Sequence, residues 1–281
     1  MLAAIVLPVL GSSSPSAAAT AAPLPTLHWT DAAAFVQNTG WNSSVARCSP
    51  VSPGTDKHGS PCAGPYARLP LAAKTGEWCS PPCPVRSIVW GEGQNGAGLY
   101  LGFVSDSPTI WLNATLLSPA KEATNCGSTC GSGLDMYAYD EATKAWRWVD
   151  TTTNSNGGGW SFVGSQISRP MVSQVPASRG PVRYRIHLPI YNGLSAAAIG
   201  VPPGKKILPY MDADELPPVL FYGTSIVNGH VASRPGMIFT NALSRRRDNA
   251  RSVLIVSFLT HMKPMLYQDR LGTHLKTEVE Y

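Results

Sequence analysis

The chain has 281 residues, of which 26 are glycine, 25 are proline and only 14% are charged. A charged fraction this far below that of ordinary soluble domains argues against helical bundles and coiled coils, and a hydrophobic fraction of 43% argues against intrinsic disorder. The net charge of +5 is small and spread along the chain, so no nucleic-acid binding is predicted, and the length suits one large or two ordinary domains.

Residues 1–26 are predicted to be a secretory signal followed by a lead-in rich in Ser, Ala and Pro. The apolar run at 1–10 is followed by small residues, as a signal peptidase requires, and a misassigned start is the alternative because no Lys or Arg precedes the run. The other long apolar run, at 253–259, is also much shorter than the roughly 20 residues of a membrane span. We therefore expect a secreted protein with no transmembrane segment.

Six cysteines, an even number, favour disulfides in an oxidising compartment. The alternative is a zinc site, because two Cys-x3-Cys pairs together offer four thiolates. Sequons at Asn42 and Asn113 add to the expectation of a secreted glycoprotein. The simplest disulfide connectivity has these pairs: Cys48–Cys62, Cys79–Cys83 and Cys126–Cys130.

Alternation of apolar and polar residues predicts a series of β-strands from Val89 onward. Within 110–116 every second residue is apolar, which places Asn113 on the outward face of its strand. The strands follow one another at short intervals with no convincing helix between them, so we predict an antiparallel β-sandwich or jelly roll over 27–212. The other predicted strands are 99–103, 134–140, 145–149 and 183–190.

Three tryptophans near the middle of this unit have two interpretations. Trp146 and Trp148 share one strand face, and Trp160 follows the glycine-rich segment SNGGG. Core packing is the expected role of such residues. The alternative is stacking on sugar rings, which would make the chain a non-catalytic carbohydrate-binding module with a vestigial C-terminal fragment.

Two groups of basic residues are expected to be solvated. Arg183, Arg185 and His187 alternate with apolar residues and form the predicted polar face of their strand. Arg245–Arg247 are interpreted as the exposed end of a helix, where positive charge is favourable.

The pattern changes near residue 216, where we place the start of a second unit, 216–281. Two prolines precede the apolar run VLFY, which is typical of a strand buried on both faces. A glycine-punctuated turn follows, and then a predicted helix over 236–247 with Ser233 as a candidate cap. Strand, loop and helix in this order predict the opening of an α/β domain, and the boundary falls within 205–215.

Ser225 lies directly after the predicted buried strand. It would therefore sit at the carboxyl end of a parallel sheet, where α/β proteins bind ligands, with its own N–H able to donate to a developing oxyanion. On spacing alone, most such serines only cap a helix or a turn. His230 either lines the same site or is a surface-loop histidine.

The segment FYGTSIVNGHVASRPGMIFTNALSRRR at 221–247 closely resembles the first conserved block of the SGNH (GDSL-like) hydrolases. It is most similar to the branch with an N-terminal β-rich domain named after a GxDLY motif. GSGLDMY at 131–137 resembles that motif, with Met136 in place of Leu. The segments at 68–78, 87–110 and 183–201 resemble other strands of the same domain.

This resemblance implies that Ser225 is the catalytic serine of an ester hydrolase. It would attack an ester carbonyl and form an acyl-enzyme that water hydrolyses, with a histidine base oriented by an aspartate. The resemblance implies no metal and no organic cofactor. The implied substrate is an ester, such as an acylated glycan or a lipid.

After Arg247 the sequence departs from the family pattern. We find no counterpart of the second-block glycine, the third-block asparagine or the late Asp-x-x-His. Asp269 and His274 are the nearest substitute for the acid–base pair, but their spacing is wrong and we expect an exposed tail there. Because a five-stranded doubly wound domain needs about 150 residues, we expect the hydrolase domain of this chain to be truncated.

Overall fold

A computed structural model describes residues 26–38, 64–77, 80–120, 125–152, 164–173, 175, 180–210, 219–246 and 253–257. The strands in these segments are β1 (His28–Asp31), β2 (Val36–Gln37), β3 (Tyr100–Ser105), β4 (Ile110–Leu116), β5 (Asp135–Asp140), β6 (Ala145–Thr151), β7 (Gln166–Val172), β8 (Val182–His187), β9 (Leu194–Val201), β10 (Ile207–Pro209), β11 (Val219–Gly223) and β12 (Val253–Ser257). The α-helices are α1 (Leu71–Thr75), α2 (Ser87–Glu92), α3 (Ser128–Gly131), α4 (Ser225–Asn228) and α5 (Phe239–Arg246), and short 3-10 helices cover Ala32–Phe35, Gly64–Tyr66 and Pro235–Met237.

Most of the described chain forms two antiparallel sheets. The first has the strand order β1-β9-β4-β7. The second has the order β10-β3-β8-β5-β6, and β2 also pairs with β3. We call these two sheets and the segments packed on them the β-rich unit. The prediction of antiparallel strands is thereby confirmed.

One apolar cluster draws on both antiparallel sheets. The second sheet contributes Leu101 and Ile186, and the first contributes Leu112 and Ile199, all with no exposed surface. Burying an aliphatic side chain of this size is worth about 1.5–3 kcal/mol relative to leaving it exposed, so this cluster is the main stabilising element of the unit.

The predicted alternation is clearest in β4. Ile110, Leu112, Ala114 and Leu116 are buried, whereas Asn113 is exposed on the opposite face, as expected. The prediction fails at the start of the series, because Val89 lies in α2 rather than in a strand. Val89 and Trp90 pack against Leu69 and Ala73 of the preceding segment, and these tertiary contacts outweigh the strand propensity of the apolar run.

The outer face of the six-stranded sheet, which points away from the shared cluster, is not solvated as predicted. Arg185 and His187 have no exposed surface. The Arg185 guanidinium lies 4.3 Å from the ring centroid of Trp146 and 4.8 Å from that of Tyr100. Aromatic rings from β3 and β6 therefore cover the Arg185 cation, an arrangement worth about 2 kcal/mol for a desolvated pair.

The second unit begins with β11, which pairs in parallel with β12 from Val219↔Val253 to Gly223↔Ser257. The connection between them contains α4, the 3-10 turn and α5, so the predicted strand, loop and helix are present. The helix starts at Phe239 rather than at 236, because Pro235–Met237 forms its own turn. None of the helices in the described segments is long and apolar enough to span a membrane.

The structure tests part of the predicted disulfide pattern. Cys126 and Cys130 are bonded, with their Cα atoms 5.4 Å apart, which confirms that pair. Cys83 also takes part in a disulfide. The remaining cysteines, at 48, 62 and 79, lie outside the described residues, as does Trp160.

Candidate active site

Ser225 is the first residue of α4 and follows β11 after a single intervening residue. It therefore lies at the carboxyl end of a strand that has a parallel neighbour, as the sequence predicts. The Ser225 side chain is half-buried. Its backbone N–H is in the first turn of the helix, where no intrahelical acceptor exists, so the group can stabilise negative charge.

The turn before Ser225 is tight because Gly223 has no side chain. A Cβ atom at this position would lie 2.4 Å from Val227 Cγ2, a distance that side chains do not tolerate. The N–H groups of Val227 and Asn228 donate to the Thr224 carbonyl at 3.0 and 3.2 Å, which folds α4 directly back against the strand end. The local geometry thus places Ser225 at the carboxyl end of β11.

His230 contacts the β-rich unit through both ring nitrogens. Nδ1 is hydrogen-bonded to the Tyr191 hydroxyl, and Asn125 Nδ2 donates to Nε2 over 3.4 Å. Burial, followed in size by the charge of Glu92, raises the pKa of Tyr191 to about 12, so this hydroxyl stays protonated at neutral pH. Because both nitrogens are occupied, His230 is not placed as the base that activates Ser225.

A second polar cluster lies where the second unit contacts the β-rich unit. Asp135 has no exposed surface and lies 3.2 Å from Arg234 Nε, while its Oδ2 accepts from the Gly236 N–H at 2.8 Å. Arg245 donates to the Gly236 carbonyl at 2.6 Å and contacts His187 Nε2 at 3.0 Å. Arg245 is therefore held in the contact between the units, which corrects the prediction of a solvated helix end.

The pKa values in this cluster are shifted mainly by burial. Burial raises the pKa of Asp135, and the Thr151 hydroxyl, the Arg234 charge and the Gly236 N–H oppose that shift in decreasing order. Burial also lowers the pKa of His187 well below its ordinary value, and the charges of Arg245 and Arg185 lower it further. His187 is neutral at physiological pH and accepts from Arg245.

The tryptophans on the outer face have different environments. Trp146 is half-buried and packs edge-on to Tyr139 at 5.3 Å, which agrees with the packing interpretation. Trp148 is 54% exposed, and its Nε1 donates to Asp135 Oδ1 at 3.0 Å. The Arg234 guanidinium lies 5.1 Å from the Trp148 ring centroid.

The structure places some of the predicted site residues and not others. Ser225 is at the strand end, whereas Asp269 and His274 lie outside the described residues. Among the side chains that the structure describes, no histidine or carboxylate is hydrogen-bonded to Ser225. The same segments contain no group of three His, Cys, Asp or Glu residues arranged to hold a metal ion. Sequence reasoning missed the role of Asp135, although the motif GSGLDMY marks its position.

Two family models match the chain. Residues 55–207 match the family described as GxDLY, the N-terminus of esterases of the SGNH hydrolase type, and residues 217–262 match the GDSL-like lipase/acylhydrolase family. No curated protein matches the sequence significantly.

A solved structure shares the fold over most of the chain. A protein described as a GDSL-like lipase from Bacteroides ovatus ATCC 8483 is 20% identical with a TM-score of 0.60, and the match covers 83% of this chain and 57% of that one. The salicylyl-acyltransferase SsfX3 from a tetracycline biosynthetic pathway is 18% identical with a TM-score of 0.43, over 62% of this chain and 43% of that one. The chain thus spans little more than half the length of the first of these structures.

The GxDLY match extends over more than half of the sequence and includes GSGLDMY, and the GDSL-like match includes the Ser225 turn. The chain therefore belongs to the SGNH (GDSL-like) hydrolase family, in the branch with an N-terminal GxDLY domain.

Proposed function

We propose that the protein is an SGNH-type serine esterase in which Ser225 is the nucleophile. The observation that carries the proposal is the position of Ser225 at the start of α4, directly above a strand in a parallel pair. Membership in a family of GDSL-like hydrolases supports it, because the matched region contains this turn.

In this mechanism Ser225 Oγ attacks the carbonyl carbon of an ester, and the electrons of the C=O bond move to the oxygen. The Ser225 N–H at the helix start stabilises the resulting oxyanion. Collapse of the tetrahedral species expels the alcohol and leaves an acyl-enzyme, which water hydrolyses. A histidine oriented by an aspartate accepts the serine proton in this reaction class. His230 does not take this role, because its nitrogens contact Tyr191 and Asn125.

The proposal extends to the architecture. The two antiparallel sheets form a jelly-roll-like β-sandwich over 27–212, which the shared apolar cluster supports. The parallel pair with helices between its strands begins a flavodoxin-like α/β domain over 216–281. No residue of this chain is assigned as the acid–base pair, so we expect full activity from a version extended to a complete SGNH domain. The protein is secreted, and the Cys126–Cys130 disulfide supports an oxidising environment.

The test uses a fluorophosphonate probe and short-chain aryl esters, on the 281-residue chain and on the extended version. We expect labelling at Ser225 and hydrolysis in the extended version, both abolished by Ser225→Ala. Ser233→Ala, an exposed serine eight residues away in the same connection, is the matched control and should leave both intact. Hydrolysis that survives Ser225→Ala would refute the assignment.

A glycan-binding role for the β-rich unit is the second candidate, and the exposure of Trp148 favours it. Retardation on a polysaccharide affinity gel that is lost in Trp148→Ala would support this role. No retardation on any polysaccharide tested would contradict it. Ester hydrolysis and glycan binding are measured separately, so the two candidates can be told apart.

A further inference from the structure

We infer that Asp135 of the GSGLDMY motif is a positioning residue, and that the motif is the docking site that holds the connection containing Ser225 on the β-rich unit. The inference rests on the proposed function in so far as Ser225 is the nucleophile. It assigns to the family-naming motif a role in the contact between the two units rather than in ligand binding.

The two carboxylate oxygens of Asp135 have different partners. Oδ1 accepts from Trp148 Nε1 at 3.0 Å and from the Thr151 hydroxyl at 2.5 Å, both within the β-rich unit. Oδ2 accepts from the Gly236 N–H at 2.8 Å and lies 3.2 Å from Arg234 Nε, both in the second unit. The two donors of the β-rich unit fix the carboxylate, which in turn holds the Gly236 N–H by a hydrogen bond and Arg234 by an ion pair. Hydrogen bonds to a buried charge are among the stronger ones in proteins.

The GSGLDMY motif also fits the shape of the turn at Gly236. A Cβ atom at Gly236 would lie 2.3 Å from Tyr137 Cε2 and 2.4 Å from Asp135 Oδ2, so the motif accepts the turn only with glycine at this position. Arg245 closes the other side, because it donates to the Gly236 carbonyl and stacks 3.9 Å from the Tyr137 ring centroid. Both backbone polar groups of Gly236 are thereby bound by side chains.

Apolar contacts next to the turn extend the docking to α4 itself. Ile238 is buried in a cluster with Cys126, Cys130 and Ile190 of the β-rich unit, and Val227 of α4 packs against the same cluster. Asn228, the last residue of α4, donates to the Ile190 carbonyl at 3.4 Å. The helix that starts with Ser225 is thus attached to the same surface as the Gly236 turn.

Gly229 links the two attachments. It has a φ of +93°, which ends α4 in the left-handed conformation, and the space where a Cβ would lie is occupied by Ile238 at 2.4 Å. Release of the Gly236 turn would move Ile238, and α4 would then lose its packing. Asp135 therefore acts on Ser225 through the chain without touching the reacting atoms.

The test is hydrogen exchange on the folded 281-residue protein, with Asp135→Asn and Gly236→Ala as the variants. Both should make the amides of 225–238 exchange at least about tenfold faster, because the charged acceptor or the fit of the turn is lost. The amides of β3 and β8 should be unchanged. The control is Asp140→Asn at the other end of β5, where the carboxylate accepts from the Ala142 N–H and the Thr143 hydroxyl of its hairpin turn and lies 3.9 Å from Arg147 Nε.

Gly236→Ala decides the result if Asp135→Asn does not fold, because Gly236 is outside the core of the β-rich unit. Unchanged protection of 225–238 in folded Gly236→Ala would overturn the inference. So would equal loss of protection in β3 and β8, which would show a general structural role.

The rate of fluorophosphonate labelling at Ser225 separates this inference from the proposed function. In a version that is labelled, Gly236→Ala should lower the second-order rate constant at least about tenfold without lowering the melting temperature of the β-rich unit. A labelling rate equal to that of the parent would contradict the positioning role. If no version is labelled, the proposed function fails, and the exchange experiment alone decides whether the docking exists.

Discussion

The inner face of the six-stranded sheet is covered by aliphatic and aromatic side chains that meet the other sheet, whereas its outer face carries Arg185 and His187 among aromatic rings. Both faces are buried in these positions. Buried apolar surface stabilises the inner face. A few polar contacts between particular residues stabilise the outer face. Alternation in a strand therefore distinguishes its two faces but does not show which of them is exposed.

The largest effect is expected at the inner face. Leu112→Ala should destabilise the protein by about 2–5 kcal/mol, because it leaves a cavity between the sheets. The measurement is urea unfolding monitored by circular dichroism. Asn113→Ala, the next residue on the same strand and exposed, should change stability by less than about 0.5 kcal/mol in protein made without glycosylation. Equal losses of stability in the two variants would show that β4 does not bury only one of its faces.

The contact between the units should be the next most sensitive region. Arg245→Met should lower the free energy of local opening of α5 by about 2–4 kcal/mol, because the Gly236 carbonyl and His187 Nε2, which are buried, lose a half-buried charged donor. Hydrogen exchange of the α5 amides measures this quantity. Arg246→Met removes an exposed arginine from the next position and should have little effect. Similar losses of opening free energy in both variants would mean that Arg245 is solvated, as the sequence predicts.

Much of the β-rich unit can be predicted from sequence, because its strands bury one apolar face. Strands β4, β5 and β6 start within about one residue of their predicted positions, as boundary assignments allow. The apolar run containing Val89 cannot be assigned to a helix or a strand from its pattern alone, because contacts with Leu69 and Ala73 favour the helix.

The candidate site also has one part that the sequence predicts and another that it does not. Ser225 is predictable because strand, glycine and serine are adjacent in sequence and resemble a family block. The partner of Asp135, Gly236, is 101 residues away, and no local signal connects the two. The burial of His187 is equally invisible, because Arg245, its partner, belongs to the other unit.

The pH dependence of stability should show the burial of His187. The pKa of this residue is lowered in the folded state, mainly by burial, so the unfolded chain takes up a proton below its ordinary pKa of about 6.5 while the folded protein does not. The stabilisation that neutral His187 contributes is therefore fully present above about pH 6.5. It should then fall by up to about 1.4 kcal/mol for each pH unit below it.

Urea unfolding at about pH 7 and about pH 5.5 measures this slope. His187→Gln keeps an acceptor for Arg245 but has no titrating group, so its stability should change less between the two conditions. The raised pKa of Asp135 acts in the opposite direction, since the folded state gains a proton first, and the difference between parent and variant removes that contribution. Parallel slopes in the two proteins would mean that His187 is protonated in the folded state.

The smallest predicted effect tests how firmly Asp135 is held. Trp148→Phe keeps an aromatic ring beneath Arg234 but removes the Nε1 donor to Asp135 Oδ1, while the Thr151 hydroxyl remains. We expect a loss of about 1 kcal/mol in the opening free energy of the Gly236 amide, the usual net contribution of one hydrogen bond. Trp111→Phe, a half-buried position on the other sheet, should leave that amide unchanged. A loss with Trp148→Phe but not with Trp111→Phe would mean that the donors on the β-rich side tune how strongly the carboxylate holds the second unit. Equal protection in the two variants would mean that Thr151 alone orients Asp135.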